Sequence, residues 1–465
     1  MMLFDTIAAV STPSGKGGIA VIRISGKDAI KISESVFEVI HKDNKKLSDM
    51  PSRYMCRGRI WRSYEDGQRV CIDDGMAVVF RAPASFTGED VVEINCHGGT
   101  LVTSCVLSAV LEAGARMAVA GEFTRRAFVN GKMKLTQAEA LGLLLEAETE
   151  NQLLLSRSGM RGILSGATEA LYKRLVDVMG SVWAKIDFPE EDLNEMSRED
   201  IRDELNKVAV EVDKLAATYK TGRAISDGIA TAICGHTNVG KSSIYNRIVG
   251  YDAAIVTDIE GTTRDVLREK VCLGGVTLKL CDTAGLRHTD DLVESIGIER
   301  ARSEIANCEL VFAVFDACEN ISAEDEDFYR ELVAEGKTVI ALVNKTDIAG
   351  KRKAPNADIF KYCVFVSAKT GDGFDELARI VNELYIDGTI SLNNDAVVMD
   401  KRQYSALLLA KNSLDMAISA LDNLLPLDLC AVDIENAMID LGEIDGREVG
   451  EDIVANIFSR FCVGK

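Results

Sequence analysis

Gly235 is followed, after four residues, by Gly240-Lys241-Ser242, the spacing of a phosphate-binding loop. Glycines at both ends let backbone N–H groups turn inward around phosphate oxygens, and a helix starting there adds its partial positive charge. Lys241 can reach the terminal phosphates, and the Ser242 hydroxyl can ligate Mg²⁺. The run Ile229 to Cys234 before the loop is short and apolar, as a buried strand is. The run Ser243 to Val249 after it carries apolar residues at helical spacing. Asn238, Val239 and Ser243 complete the stretch that would touch nucleotide.

Four further stretches answer to this loop in chain order. Gly261-Thr262-Thr263-Arg264-Asp265 offers Thr263 as a second hydroxyl for Mg²⁺. Asp282-Thr283-Ala284-Gly285 follows an apolar strand; Asp282 would hold the metal's water shell and the Gly285 N–H would sense a γ-phosphate. Asn344-Lys345-Thr346-Asp347 ends another strand. A carboxylate there accepts from the N1–H and exocyclic amine of guanine, donors that adenine does not pair in that way, so GTP is favoured over ATP. Ser367-Ala368-Lys369 forms a loop backing the base. The set resembles the translation-factor-like GTPases.

One position departs from the Ras-like pattern. Leu286 stands where a glutamine would orient the attacking water, and leucine cannot do that. Glu294 is the candidate replacement; the alternative is a surface carboxylate beginning a helix. Positive charge is also needed near the β- and γ-phosphates, and no arginine finger is identifiable. Asn238 and the oxygen-rich segment Thr257-Asp258-Ile259-Glu260-Gly261-Thr262 could instead hold a monovalent cation.

The elements that carry these residues alternate. Strands at Val276 to Cys281, Leu310 to Phe315, Thr338 to Val343 and Tyr362 to Val366 interleave with helices at Ile296 to Asn307, Phe328 to Gly336 and Phe374 to Tyr385. That predicts a parallel sheet with helices on both faces. The flanks differ. Residues 1 to 130 read as α+β, with strands around Thr6, Ile19, Gly75 and Val91. Residues 131 to 226 are helical, with capping boxes expected at Thr136/Glu139 and at Ser197/Asp200; Lys220 to Gly228 reads as a polar connector. Residues 389 to 465 are helical again, most clearly from Tyr404 to Leu424. The expected architecture is multidomain, α/β and α+β. A G domain at 227–388 is inserted into one all-helical domain made of 131–226 and 389–465, after an N-terminal α+β domain at 1–130.

With 465 residues and 47% hydrophobic composition, about three domains with buried cores are expected. The net charge of −20 argues against a general nucleic-acid coat but leaves room for a local basic patch. Lys42 to Arg69 is such a segment; it reads as a solvated hairpin or as a contact with an anionic substrate. Twelve scattered Cys without a Cys-x-x-Cys pair suit reduced single thiols. Neither a signal peptide nor a long apolar span is legible, so a cytoplasmic location is expected.

The ends of the chain specify which GTPase is meant. Gly17-Gly-Ile-Ala-Val-Ile-Arg-Ile-Ser-Gly26, Ser85-Phe-Thr-Gly-Glu-Asp90, His97-Gly-Gly, Gly121-Glu-Phe-Thr-Arg-Arg-Ala-Phe128, Lys134-Leu-Thr-Gln-Ala-Glu-Ala140 and the tail Ile457 to Lys465 resemble, with the central motifs, the MnmE (TrmE) family of tRNA-modification GTPases. The resemblance implies a folate-binding N-terminal domain, a homodimer built through it, and a heterotetramer with the flavoprotein MnmG. It implies that a tetrahydrofolate derivative (5-formyl- or methylene-) supports 5-carboxymethylaminomethyl or aminomethyl formation on the wobble uridine of certain tRNAs. It implies potassium-dependent hydrolysis, with Asn238, Thr257, Ile259 and Thr262 around K⁺, Ser242 and Thr263 around Mg²⁺, and Glu294 catalytic. Arg23, Glu89, Lys132 and Lys465 match positions associated with folate. Cys462 matches the tail cysteine, as a nucleophile or as a small buried residue. The rival reading is a ribosome-assembly or signalling switch GTPase.

Overall fold

The computed structural model describes residues 5–41, 43, 45–64, 67–188, 196–250, 269–281, 305, 307–319, 321, 323–348, 355, 358–447, 450–459 and 461–464. The chain forms two compact units, Met1–Gly142 with Asp445–Lys465, and Leu143–Ile444.

The first unit is built on a seven-stranded sheet. Its strands are β1 (Ile7–Val10), β2 (Ile19–Ser25), β3 (Phe37–Val39), β4 (Met55–Ser63), β5 (Arg69–Phe80), β6 (Val91–His97) and β7 (Arg116–Met117), in the order β3-β4-β5-β6-β2-β1-β7. Alternate residues face inward, Cys56, Gly58 and Ile60 on β4 and Ile22 and Ile24 on β2 among them. Helices α1 (Ala29–Val36) and α2 (Thr100–Glu112) cover that face; Ile32, Val36, Val106 and Val110 join its core. β5 starts six residues before the Gly75 start expected from sequence, because its first half pairs with β4 as a ribbon beyond the apolar stretch.

Helix α3 (Glu122–Val129) and helix α4 (Leu135–Leu145) complete this part. The capping box expected at Thr136/Glu139 does not form. The helix starts one residue earlier, Gln137 reaches back to the Lys134 N–H (2.9 Å), and the buried Thr136 hydroxyl bonds Asp445 instead (3.3 Å). The C-terminal segment returns to this unit. Phe458 and Phe461 pack with Leu135 and Ala138, Val463 bridges Ala120, and the Ser11 hydroxyl donates to the Gly464 carbonyl (3.0 Å).

The second unit contains a helical core and a nucleotide-type sheet. Helices α5 (Glu150–Met160), α6 (Ile163–Asp187) and α7 (Arg198–Ala217) precede the sheet. Gly162, at φ 72°, breaks the helical run between α5 and α6. Ser197 and Asp200 form the capping box expected at the start of α7. Leu171, Leu175, Val178, Leu205 and Val208 pack against Leu407, Leu414, Ile434 and Leu441, so helices from both sides of the sheet segment share one core.

The sheet holds β8 (Ile229–Cys234), β9 (Glu269–Leu273), β10 (Val276–Leu280), β11 (Leu310–Asp316), β12 (Thr338–Asn344) and β13 (Tyr362–Phe365) in the order β13-β12-β11-β8-β10-β9. Five strands are parallel; β9 adds an antiparallel edge through a Gly274-Gly275 turn. β11 and β12 are buried on both faces, as expected for central parallel strands.

The connector expected at Lys220 to Gly228 is a short helix, α8 (Tyr219–Ser226). Its apolar side buries Ala224 and Ile225, which outweighs its polar average. The Thr221 hydroxyl donates to the Tyr385 carbonyl (3.3 Å) and accepts from the Asp387 N–H (3.0 Å). The Thr218 hydroxyl accepts from the Val398 N–H (3.0 Å). A Cβ on Gly222 would stand 1.9 Å from the Val398 carbonyl oxygen. Among the described residues no helix is long and apolar enough to cross a membrane.

Helix propensity alone would make Gly222→Ala stabilising by up to about 1 kcal/mol. The backbone contact reverses that sign. Gly222→Ala is expected to cost about 2 kcal/mol, read as a lower midpoint of thermal unfolding; a raised midpoint would refute the contact.

Candidate functional site

β8 delivers Cys234 to the carboxyl edge of the sheet, where ligands of such folds bind. Gly235 follows at φ 149°, and a Cβ there would lie 2.3 Å from the Val314 carbonyl oxygen. Asn238 adopts a left-handed backbone at φ 65°, a conformation that asparagine tolerates. Gly240, at φ 95°, is the N-cap of α9 (Lys241–Val249), so Lys241, Ser242 and Ser243 occupy the first helical turn. The Lys241 ammonium donates to the carbonyls of Gly235 (2.8 Å) and His236 (2.5 Å), which fixes it within its own loop. Burial lowers its pKa from the ordinary lysine value.

The base-side motif is joined to this loop by one buried side chain. The Asn344 amide donates to the Val239 carbonyl (2.9 Å), and its oxygen accepts from the Ala368 N–H (3.1 Å). Asn344 therefore bridges the phosphate loop and the Ser367-Ala368-Lys369 loop. Gly240 must lack a side chain for the same reason: a Cβ would meet the Asn344 amide nitrogen at 2.3 Å. The buried Ser367 hydroxyl donates to Asp347 (2.9 Å) and orients that carboxylate. Thr346 bonds the Val366 carbonyl through its hydroxyl (3.0 Å).

A division of labour results. Asn238, Ser242, Ser243, Asp347 and Lys369 are exposed at this edge, while Val239, Asn344, Thr346 and Ser367 behind them are buried. Sequence reading missed Asp316, at the end of β11. Lys345, at φ 64°, donates to it (2.7 Å). Burial would raise the Asp316 pKa, but the Lys345 hydrogen bond prevails and holds it below the ordinary carboxylate value. The available signal was position, since Asp316 ends a strand at the edge that carries the other motifs.

Thr257, Asp258, Ile259, Glu260, Gly261, Thr262, Thr263, Asp282, Thr283, Ala284, Gly285, Leu286, Glu294 and Lys465 lie outside the described residues, as does most of the helix expected at Ile296 to Asn307.

In the first unit, Arg23, Glu89 and Lys132 converge on the 82–90 loop. The Arg23 guanidinium pairs with Glu93 (2.9 Å) and lies 5.5 Å from the Phe86 ring centre. Lys132 donates to the Pro83 carbonyl (2.9 Å) and packs over Gly88. Glu89 accepts from the Ser25 hydroxyl (2.7 Å) and, at both oxygens, from Arg126 (3.1 Å).

Arg126 is 1% exposed, the most deeply buried cation at this site, and it was not singled out from sequence. It also bonds the Asp5 carboxylate (2.8 Å) and Glu122 (3.0 Å), as a buried guanidinium requires. Burial opposes ionisation of Glu122, yet its bonds from Arg116, the Val119 N–H and Arg126 win and lower its pKa. Cys462 is exposed, so the small-buried-residue reading does not hold; its carbonyl accepts from the Gly121 N–H (3.4 Å).

Asn344→Ala removes both bridging hydrogen bonds. At about 1 kcal/mol each, guanine-nucleotide affinity should fall roughly 30-fold, measured by titration with a fluorescent GDP analogue. Unchanged affinity would show that the two loops hold their places without it.

Family models and curated relatives match this chain over most of its length. The family model described as GTP-binding protein TrmE N-terminus matches residues 6–132, and the one described as MnmE helical domain matches residues 135–462. The curated tRNA modification GTPase MnmE of Lactobacillus acidophilus is 39% identical over 99% of this chain and 98% of its own. The protein of that name from Clostridioides difficile is 37% identical over all of both chains. Solved structures that align with part of the chain include the Era protein of Aquifex aeolicus bound to GDP and AlF4⁻, 20% identical over 40% of this chain and 67% of its own, at a TM-score of 0.25. The G domain of the FeoB iron transporter of T. maritima is 26% identical over 33% of this chain and 97% of its own, at a TM-score of 0.24. The full-length likeness, at nearly equal chain length, includes the phosphate loop and the N-terminal domain together: the chain is a GTP hydrolase and belongs to the MnmE family of tRNA modification GTPases.

Proposed function

We propose that this chain hydrolyses GTP in a potassium-activated cycle that drives modification of the wobble uridine of certain tRNAs. The observation that carries the reading is the Asn344 bridge, which ties the phosphate loop to the loop of Ser367, the residue that orients the guanine-reading carboxylate Asp347, in a chain whose residues 6–132 match the TrmE N-terminus model. Cellular partners follow from the family: a second copy of the chain, the flavoprotein MnmG, and tRNA, in the cytoplasm.

Hydrolysis needs a positioned water and positive charge beside the leaving GDP. Lys241, held in the loop, supplies one charge. Asn238, with Thr257, Ile259 and Thr262, would hold K⁺, and Ser242 with Thr263 would hold Mg²⁺; bound there, the ions neutralise charge on the β- and γ-phosphates. The exposed Asn238 and the Ser242 hydroxyl on the first turn of α9 fit these roles. Glu294 orients the water, a task Leu286 cannot perform. Asp282 and Gly285 link the γ-phosphate to the following segment, so that loss of phosphate changes its conformation.

The 82–90 loop suits a tetrahydrofolate derivative. Arg126 and Ser25 fix the Glu89 carboxylate, an acceptor for pterin amide and amino donors, and Arg23, Lys132 and Lys465 suit an anionic glutamate tail. Such a group supplies a one-carbon unit when bound. Cys462, exposed on the tail, is a secondary candidate for a thiolate that adds to the uracil ring.

Two measurements test this reading. A strain lacking the chain should lose the modified wobble nucleoside, recovered by the wild-type chain; an unchanged nucleoside profile removes the tRNA role. GTP turnover should be at least about tenfold faster in KCl than in NaCl and be abolished in Glu294→Ala with GTP binding intact. Equal rates in the two salts would sink the potassium assignment.

A further inference from the structure

A protein of net charge −20 repels a polyanion over most of its surface, so a nucleic-acid partner needs a local positive face. The ribbon of β4 and β5 is such a face. With its flanks it carries Arg53, Arg57, Arg59, Arg62, Arg69 and Arg81 and no lysine, against Glu65, Asp66, Asp73 and Asp74. On β4, Arg57 and Arg59 alternate with buried Cys56, Gly58 and Ile60, so both project from the side opposite the helix-covered core. Two residues along a strand separate them by about 7 Å. Their side chains are 68% and 55% exposed.

These charges are only partly answered. Arg62 is committed to Glu112 through two bonds (2.5 and 3.1 Å). Arg57 and Arg59 share one carboxylate, Asp74, at 3.2 and 3.8 Å. Arg53 donates to the Ala84 carbonyl (3.2 Å), and Arg81 to the Ser48 carbonyl (2.7 Å). Arg69 lies over the Trp61 ring at 4.9 Å. Among the described residues, Arg53, Arg69 and Arg81 meet no carboxylate. Asp73, the neighbouring acid on β5, is taken by His97 (2.7 Å).

The chemistry suits RNA. A guanidinium forks onto phosphate oxygens in a way an ammonium cannot. Unpaired bases stack on aromatic rings and on guanidinium planes. Both surfaces occur together at one end of the ribbon, where Arg69 covers Trp61. Strands β3 and β6 flank the ribbon and pair with it, so its charges are held in place before binding.

We propose that the β4–β5 ribbon is the tRNA-docking surface of this chain, with Arg57, Arg59 and Arg69 on phosphates and the Arg69–Trp61 stack against a base. The proposal rests on the tRNA reading above.

The test uses the full chain and fluorescently labelled, unmodified tRNA, with anisotropy followed over a KCl series. The variant Arg57→Glu/Arg59→Glu/Arg69→Glu should bind at least about 10-fold more weakly, and its log–log salt slope should fall by about 2 to 3. The variant Arg57→Lys/Arg59→Lys/Arg69→Lys should keep most of the affinity. A control with the same change in charge elsewhere, Arg202→Glu/Arg330→Glu/Arg379→Glu, should bind as wild type. GTP turnover of the ribbon variant without tRNA should match wild type, which shows that it folds. Equal affinity of the ribbon and control variants overturns the proposal, as does a wild-type chain that binds no tRNA. Arginine-dependent binding to phosphatidylglycerol vesicles without binding to tRNA also overturns it, in favour of a membrane surface. If the ribbon variant restores the wobble nucleoside fully in the deletion strain, the docking site falls while the modification role stands; an unchanged profile in the deletion strain itself removes the role.

Discussion

An inserted domain must leave and re-enter its host at neighbouring points, and the second unit is organised around that constraint. α8 carries the chain out toward β8, and the segment after α10 (Phe374–Tyr385) brings it back. The two are stitched by Thr218, Thr221 and Ser226, whose hydroxyls bond Val398, Tyr385 with Asp387, and Met399. Gly222 lets the backbones touch. On the other side, the buried Gln152 of α5 donates to the Ile225 carbonyl (3.1 Å) and the Thr277 hydroxyl (3.2 Å), while Asn151 bonds the Gly275 carbonyl (3.0 Å). Polar side chains bonded to backbone fix orientation more sharply than apolar contact does, because each carries a direction. The sheet therefore joins the helices through directed hydrogen bonds as well as apolar contact.

Arginine serves opposite ends in the first unit. Arg126 is buried and surrounded by Asp5, Glu89 and Glu122, so its charge acts inward and sets the 82–90 loop. The ribbon arginines are exposed and under-compensated, so their charge acts outward. Burial and the count of nearby carboxylates make the difference, and neither is visible in the residue type.

The nucleotide motifs were legible because phosphate chemistry needs short contiguous runs at strand ends, and glycine positions there are dictated by backbone geometry. The alternation of apolar strands with helices gave the sheet for the same reason. What the residues could not reveal were contacts between distant segments. Asn344 was read with the base, yet its side chain also clamps Val239 across 105 positions. Thr136 looked like a helix cap because Glu139 follows at the right spacing, but a partner 309 positions away took its hydroxyl. α8 was hidden by its brevity: eight residues with lysine, arginine and glycine average to a linker, although one side is buried. β9 was missed because an edge strand needs no continuous apolar run.

The return of residues 445–465 to the first unit bears on how the chain is made. Ser11 and Gly464 meet across 453 positions, and Phe458 and Phe461 cover Leu135 and Ala138. The N-terminal segment leaves the ribosome first but lacks these partners until some 300 further residues have been synthesised. Closing a flexible loop of that length costs about 5 kcal/mol in chain entropy, beyond a constant. The part of the molecule translated first is thus completed last, once residues 445–465 have been made.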